Sequence, residues 1–194
     1  MGRPAKVATP LEHLENLLPG DIDRLRELDV LASSQPGHIT LDPGGPERDL
    51  GLERSRIMWP FATYAARGVA QAFGTDSPIT AVTSMDVLYC AVTRQDPFTL
   101  EPAGGWLPGE RISAAEALRI YTAGSAAAVG REHELGRIAP DTRRTSWSST
   151  ATSPRVTQAT DPGCEGPGHL PGGQAGIRAR ISAFVLMDGG SFQP

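Results

Sequence analysis

Three short apolar runs, separated by segments with helix signals, constrain the fold of this chain more than any other feature. The runs cover Val7–His13, Val30–Ser34 and Val69–Phe73. Each run is interpreted as a short strand, and Pro10 keeps the first of them short. Strands that alternate with helices along a chain are typical of a parallel α/β fold, and this is the fold that the sequence predicts.

Helix signals lie between and after these runs. Helices are predicted to open at Pro19, to cover Ser55–Gly68 and Met85–Val92, and to follow the capping box that begins at Ser113. In the first of them, Ile22, Leu25 and Leu28 are expected on one apolar face. The Gly- and Pro-rich stretch Leu41–Asp49 predicts a loop.

The overall composition excludes several classes of protein. The 194-residue chain has a net charge of −4, which provides no field for nucleic acid or for an anionic membrane surface. No apolar run could span a bilayer and the first residues lack the apolar core of a signal peptide, so a cytoplasmic location is expected. Cys90 and Cys164 form no Cys-x-x-Cys pair, so neither a disulfide framework nor a cysteine metal site is predicted.

Three side chains of the kind that bind divalent metals follow the three predicted strands. These are His13, His38 and Asp76. The carboxyl ends of strands in an α/β barrel face the active site, and imidazole and carboxylate are the usual ligands of catalytic zinc. Taken singly, each residue also has an ordinary structural explanation, as a hydrogen-bonded turn histidine or as an aspartate that caps a helix. Because they recur at three successive strand ends, a shared metal site is an equal alternative to that ordinary explanation.

Several longer segments resemble a known family. In order along the chain they are LEHLENLLPGDIDRLRELDVLASSQPGHI, LGLERSRIMWPFATYAARGVAQAFGTDSPI and PGERISAAEALRIYTAGSAAAVGRE. The series extends from about Thr9 to Pro140 and resembles the C-terminal half of the family-3 branch of the amidohydrolase superfamily, which includes the N-substituted formamide deformylases. This resemblance implies that the chain forms the second half of a (β/α)8 barrel of the TIM type, with strands six to eight and the helices that follow them.

The resemblance also implies the roles of the three residues. Family members hold a divalent metal, usually zinc, and hydrolyse amide-like C–N bonds of small molecules. By motif, His13 corresponds to a metal-ligand histidine, His38 of the Gln-Pro-x-His motif lines the substrate pocket, and Asp76 binds metal and shuttles the proton. The His-x-His of strand one, the bridging ligand of strand four and the histidine of strand five are absent. The metal site of this chain is therefore expected to be incomplete.

The segment after Pro140 differs in composition from the rest. Residues 141–194 are rich in Ser, Thr, Gly and Pro, which predicts a disordered tail. Family members continue here with a strand. Back-translation from Asp141 with GC-rich codons, read two bases out of frame, gives HAADLVVLDGD, which matches that strand. The interpretation is a partial barrel over residues 1–140 and a frameshifted tail over residues 141–194, with a genuine disordered tail as the alternative.

Two functions of different class follow from these observations. The first is a metal-dependent hydrolase of linear or cyclic amides, present here as a fragment with little activity and weak zinc binding. The second is a non-catalytic product: either a relic, or a half-barrel that functions only by pairing with a chain that supplies the missing half.

Overall fold

A three-stranded parallel sheet forms the centre of the computed structural model, which describes residues 9–140, 142–143, 148–149 and 156–157. Its strands are β1 (Thr9–Glu12), β2 (Val30–Ser34) and β3 (Ala70–Phe73), in the order β1-β2-β3. Parallel pairing places the carboxyl ends of all three strands at one edge. The predicted α/β fold with a parallel sheet is confirmed.

Six α-helices accompany the sheet in the described part of the chain. They are α1 (Pro19–Glu27), α2 (Gly45–Ser55), α3 (Phe61–Ala66), α4 (Ser84–Thr93), α5 (Ala114–Arg119) and α6 (Ser125–Ala128). Short 3-10 helices lie at Pro36–Thr40 and Pro108–Glu110, and a π-helical turn at Ile120–Gly124 joins α5 to α6. None of the helices among the described residues is long and apolar enough to cross a bilayer.

The first helix follows its predicted pattern except at its end. Ile22 and Leu25 are buried, as their spacing predicts. Leu28 was predicted on the same face but is 64% exposed. The reason is that α1 ends at Glu27, and the chain then turns through Asp29 in the left-handed region.

Two predicted boundaries are wrong. The loop predicted for Leu41–Asp49 ends early, because Gly44 turns the chain with a φ of 82° and α2 begins at Gly45 with a proline in its first turn. The helix predicted for Ser55–Gly68 is interrupted, because Trp59 has a φ of 45° and Pro60 precedes the first residue of α3.

The core consists of two apolar clusters. The larger one is built around α4, whose residues from Val87 to Ala91 are all buried, as predicted for this helix. The smaller one includes Ile22 and Leu25 of α1, Ala32 of β2 and Tyr64 of α3. The two clusters hold the sheet and its connecting loops in place.

Half of the predicted capping box forms at the start of α5. The Ser113 hydroxyl accepts a hydrogen bond from the backbone N–H of Glu116 at 3.1 Å. The Glu116 carboxylate does not reach back to Ser113 but pairs with Arg119 at 2.6 Å. The side chain of Arg119 therefore replaces the expected backbone partner.

The tail beyond Pro140 is described at only six positions. Ser148–Ser149 pairs with Val156–Thr157 in an antiparallel arrangement that the prediction of a tail without regular structure did not include. The backbone N–H of Arg143 donates to the Glu134 carbonyl at 2.8 Å. The other residues of the 141–194 segment lie outside the described residues, so the boundary near Pro140 stays a prediction.

Candidate metal centre

The structure brings the three sequence-predicted residues together at the carboxyl edge of the sheet. His13 directly follows β1, His38 lies in the 3-10 helix after β2, and Asp76 follows β3. The Asp76 Oδ2 atom lies 3.9 Å from His13 Nε2 and 3.8 Å from His38 Nε2. The two imidazole rings are 5.7 Å apart between centroids.

Glu15 is a fourth member of this cluster, and the sequence prediction missed it. Its Oε1 atom lies 3.0 Å from His38 Nδ1 and 3.8 Å from His13 Nδ1. His13, Glu15 and His38 could also hold a metal ion, since they offer three ligand atoms within 4.8 Å of one another. The feature of the sequence that could have predicted Glu15 is its place two positions after His13. Beyond the end of a strand, however, residue spacing no longer tells which way a side chain points.

Left-handed backbone conformations direct these side chains. His13 has a φ of 70°, Leu14 a φ of 47° and Asp76 a φ of 52°. Residues other than glycine rarely adopt this region, and each such residue costs on the order of 1 kcal/mol or more. The surrounding structure must therefore hold the two loops in place.

Hydrogen bonds from three neighbouring elements hold the loop after β1. Each carbonyl oxygen of the loop accepts one of them: His13 from the Ser34 hydroxyl at 3.1 Å, Leu14 from the Tyr64 hydroxyl at 2.8 Å and Glu15 from the Trp59 backbone N–H at 3.0 Å. Burial, with a smaller contribution from the Glu110 charge, raises the pKa of Tyr64 above its ordinary range, so its hydroxyl remains a donor.

Glu12, the other half of the Glu-His motif, has a structural role. Its Oε2 atom accepts hydrogen bonds from the Ser33 hydroxyl at 2.8 Å and from Gln35 Nε2 at 3.1 Å. These contacts join the end of β1 to the end of β2. They therefore set the separation between His13 and His38.

The donor atoms of the cluster fit a divalent metal. The His38 side chain is only 9% exposed, and its Nε2 atom has no hydrogen-bond partner among the described residues. An enclosed polar atom without a partner is costly, and a metal ion would remove that cost. Two imidazoles with carboxylates are also the donor set that zinc and similar ions prefer.

A cavity of about 330 Å³ lies beside the cluster. His38 and Glu15 border it, and Ile39, Met58 and Trp59 are apolar residues of its lining. His38 therefore borders a cavity, while its predicted role in the substrate pocket stays a prediction. The cavity is of the size that takes a small organic molecule.

Comparison with known proteins decides the family. Residues 1–143 match the family model described as the amidohydrolase family. The chain belongs to the amidohydrolase family. The protein LONG AFTER FAR-RED 3 of Arabidopsis thaliana is 31% identical to it over 131 residues, which are 67% of this chain and 22% of that protein.

Two solved structures, each of an uncharacterized metal-dependent hydrolase, superpose on this amidohydrolase chain. The one from Pyrococcus furiosus is 30% identical with a TM-score of 0.56, and the match covers 66% of this chain and 25% of the other. The one from Pyrococcus horikoshii OT3 is 24% identical with a TM-score of 0.60, over 69% and 26% of the two chains, and shows the fold alone.

The predicted family is confirmed, and its finer assignments remain open. The chain spans about a quarter of the length of the solved relatives. The formamide deformylase branch, the use of zinc and the cytoplasmic location stay predictions.

Proposed function

We propose that this chain carries part of the catalytic centre of a metal-dependent hydrolase that acts on non-peptide C–N bonds of small amide-like molecules, including N-substituted formamides. One observation carries the proposal: the convergence of His13, His38 and Asp76 at the carboxyl ends of three parallel strands. The description of the Pyrococcus furiosus relative as a metal-dependent hydrolase supports it.

Each residue of the cluster has a separate task. When bound, a divalent metal polarises the amide carbonyl and lowers the pKa of water. His13 and Asp76 would hold the metal. Asp76 is 40% exposed, so its carboxylate is open to solvent, and there it would accept a proton from water and pass it to the leaving nitrogen. His38 borders the cavity that receives the substrate.

The apolar lining of the cavity suits a substrate with an apolar substituent. Met58 and Trp59 are each 5% exposed and Ile39 is 8% exposed. An aliphatic or aromatic group on the amide nitrogen gains free energy by leaving water for this surface. We therefore propose an apolar substituent on this side of the cavity, which the carboxylates of Glu15, Asp42 and Asp49 also border.

A non-catalytic role for the chain by itself is the second candidate. The observation that favours it is the short match, since the chain spans about a quarter of the length of its solved relatives. On this account the half-barrel works only with a polypeptide that supplies the preceding strands. We expect little turnover by the chain alone and more when such a polypeptide is added.

The test is hydrolysis of N-alkyl formamides in the presence of zinc or cobalt, with release of the amine as the measurement. The chain is assayed alone and after co-expression with the N-terminal part of a full-length relative. Asp76→Asn should reduce the rate to background in whichever preparation is active. Asp23→Asn removes an exposed carboxylate on α1 that pairs with Arg67, and should leave the rate unchanged. Equal rates for Asp76→Asn and the unmodified chain would contradict the proposal, as would no turnover in either preparation.

A further inference from the structure

We infer that a second cavity, next to the one beside the metal cluster, binds the protonated amine of a small molecule that carries an apolar substituent. This second cavity has a volume of about 430 Å³, and Glu47 in the first turn of α2, Arg94 and Trp106 are among the residues that border it. Its link to catalysis rests on the proposed function, because hydrolysis of an N-substituted formamide releases such an amine.

The second cavity combines a mostly apolar surface with an acidic border. Ile39, Pro46 and the indole of Trp106 contribute to its apolar surface. The carboxylates that border it are those of Asp42, Glu47, Asp96 and Glu101. A pocket of this kind suits a ligand that has an apolar body and a positive charge.

Glu47 is the most specific feature of this border. Its Oε1 atom accepts a hydrogen bond from the indole N–H of Trp106 at 2.5 Å. Its Oε2 atom is enclosed and has no hydrogen-bond partner among the described residues. An enclosed carboxylate oxygen without a donor is unfavourable. An ammonium group bound in the cavity would supply both the missing donor and the opposite charge.

The other three carboxylates of the border already accept hydrogen bonds. Asp42 accepts one from the Arg48 guanidinium at 2.7 Å. Asp96 and Glu101 each accept one at 2.7 Å from a backbone N–H of their own loop. These three side chains therefore shape the cavity and add negative charge, whereas Glu47 is the member that offers an oxygen to a ligand.

Arg94 does not make the second cavity a site for anions. Its side chain is completely buried, and its Nε, Nη1 and Nη2 atoms each donate to a backbone carbonyl oxygen. An anion would have to displace these hydrogen bonds and would lie among the four carboxylates, where like charges repel. The charge distribution therefore favours a cation.

The position of the second cavity agrees with a site for the amine product. Ile39, Asp42 and Pro46 border both cavities, so the two adjoin. Hydrolysis breaks the C–N bond of the formamide: the oxygen of water goes to formate, and its protons go to the nitrogen. An alkylamine is protonated at neutral pH, as a lysine side chain is. The product would thus leave the metal cluster next to a cavity of opposite charge.

Titration calorimetry at neutral pH tests the charge preference on the unmodified chain. Benzylamine is the cationic probe, and benzyl alcohol is a neutral probe of nearly the same shape. We expect benzylamine to bind more tightly by about tenfold or more, because a charge-assisted hydrogen bond replaces a neutral one. Equal affinities for the two probes would overturn the inference. This comparison does not depend on the folding of any variant.

Two variants locate the bound amine. Glu47→Gln keeps an amide oxygen for the Trp106 indole but removes the charge, and should weaken benzylamine binding by about tenfold or more while benzyl alcohol binding stays the same. Asp49→Asn is the matched control. It removes an equal charge two positions further along α2, from a residue that borders only the cavity beside the metal cluster of these two cavities, and should preserve binding.

Two results of this measurement would place the amine outside the second cavity and overturn the inference. One is a loss of benzylamine binding in Asp49→Asn as large as that in Glu47→Gln. The other is benzylamine binding that requires added zinc, which would locate the amine at the metal cluster. Circular dichroism of both variants checks that they are folded.

The failure of this inference and that of the proposed function are distinguishable, because amine binding is measured without turnover. Hydrolysis of formamides by a protein that binds benzylamine no better than benzyl alcohol leaves the function standing and overturns the inference. Benzylamine binding that depends on Glu47, without hydrolysis in either preparation, supports the inference and contradicts the function.

Discussion

At the scale of single residues, a buried arginine connects the core to the cavity. Arg94 is completely buried, and its guanidinium donates to the carbonyl oxygens of Trp106 at 2.6 Å, Trp59 at 3.0 Å and Met58 at 3.4 Å. Burial lowers the pKa of Arg94 to about 10, partly offset by the Glu110 charge, so the side chain is charged at neutral pH. Arg94 therefore provides hydrogen bonds to the backbone carbonyls of Met58 and Trp59, which border the cavity beside the metal cluster.

Replacement of Arg94 by lysine should destabilise the chain. A lysine ammonium cannot match the planar donor set, and each buried carbonyl left without a donor costs about 1–3 kcal/mol. We expect the free energy of unfolding to fall by about 2–4 kcal/mol, measured by urea denaturation. Arg54→Lys, at an exposed position of α2, is the matched control and should change little. A loss below about 0.5 kcal/mol for Arg94→Lys would contradict the role described here.

Cys90 should be unreactive in the folded chain and should make stability depend on alkaline pH. Burial, with smaller contributions from the Asp86 and Asp96 charges, raises the pKa of the Cys90 thiol from 9.0 to about 12. Because the folded state holds the proton more tightly, its contribution to stability is complete below pH 9 and is lost as the pH rises through about 12.

The measurement uses Cys164→Ser, which leaves Cys90 as the one thiol of the chain. A thiol reagent should react with it only after denaturant is added. Stability between pH 9 and 11 should fall more steeply with Cys90 present than in Cys90→Ala, by up to about 1.4 kcal/mol per pH unit. Rapid labelling of the folded chain would show that the thiol is not enclosed.

At the scale of secondary structure, the helical segment after Ser113 packs unusually close to the sheet. Gly124 ends the π-helical turn between α5 and α6, and a Cβ atom there would overlap the carbonyl oxygen of Gln71 in β3. The hydroxyl of the next residue, Ser125, donates to the Phe73 carbonyl at 2.9 Å. This contact holds the end of β3, and so the start of the loop that carries Asp76.

Gly124→Ala should have two opposing effects on stability: a gain from helix propensity and a loss from overlap with β3. The backbone at Gly124 is helical, with φ −62° and ψ −46°, so alanine would gain up to about 1 kcal/mol from propensity alone. The overlap with backbone cannot be relieved by a side-chain movement, and overpacking of this kind costs about 1–3 kcal/mol or more. We expect a net loss in the free energy of unfolding, measured by thermal or urea denaturation.

Gly20→Ala is the control for this prediction. Gly20 is also helical, in the first turn of α1, and has nothing within 4 Å of an added Cβ atom. It should therefore be neutral or slightly stabilising. The same sign of change at both glycines would mean that the close approach to β3 has no energetic importance.

At the scale of the whole molecule, the described sheet has an open outer strand. All four residues of β1 are exposed, and β1 pairs only with β2 in the described part of the chain. Unpaired strand edges tend to recruit other strands. The exposed edge agrees with a chain that spans about a quarter of its solved relatives' length and is proposed to work with a partner polypeptide.

Leu11→Lys should reduce self-association of the isolated chain. Leu11 is 43% exposed in β1, and a charge on an edge strand opposes strand addition. Sedimentation velocity at increasing concentration should show less association for Leu11→Lys than for Leu52→Lys, which changes a 65% exposed residue of α2. Equal association in the two variants would show that the chain does not self-associate through β1.

Much of this arrangement could be predicted from the sequence. The strands at Val30–Ser34 and near Val69–Phe73, the buried helix around Cys90 and the cap at Ser113 all depend on local patterns, and the structure contains them. The meeting of His13, His38 and Asp76 also followed from local information, because parallel strands place their carboxyl ends at one edge.

Other features depend on contacts between residues distant in the chain, and only the tertiary structure decided them. The interruption at Trp59 accompanies hydrogen bonds from Arg94 and to Glu15, neither of which is near it in sequence. The contact of Glu15 with His38 joins residues 23 positions apart. Spacing along a strand specifies which face a side chain occupies, but once the strand ends, direction depends on the neighbours that hold the loop. For this reason the sequence by itself determined the α/β fold and three members of the cluster, whereas the fourth member, Glu15, came from packing.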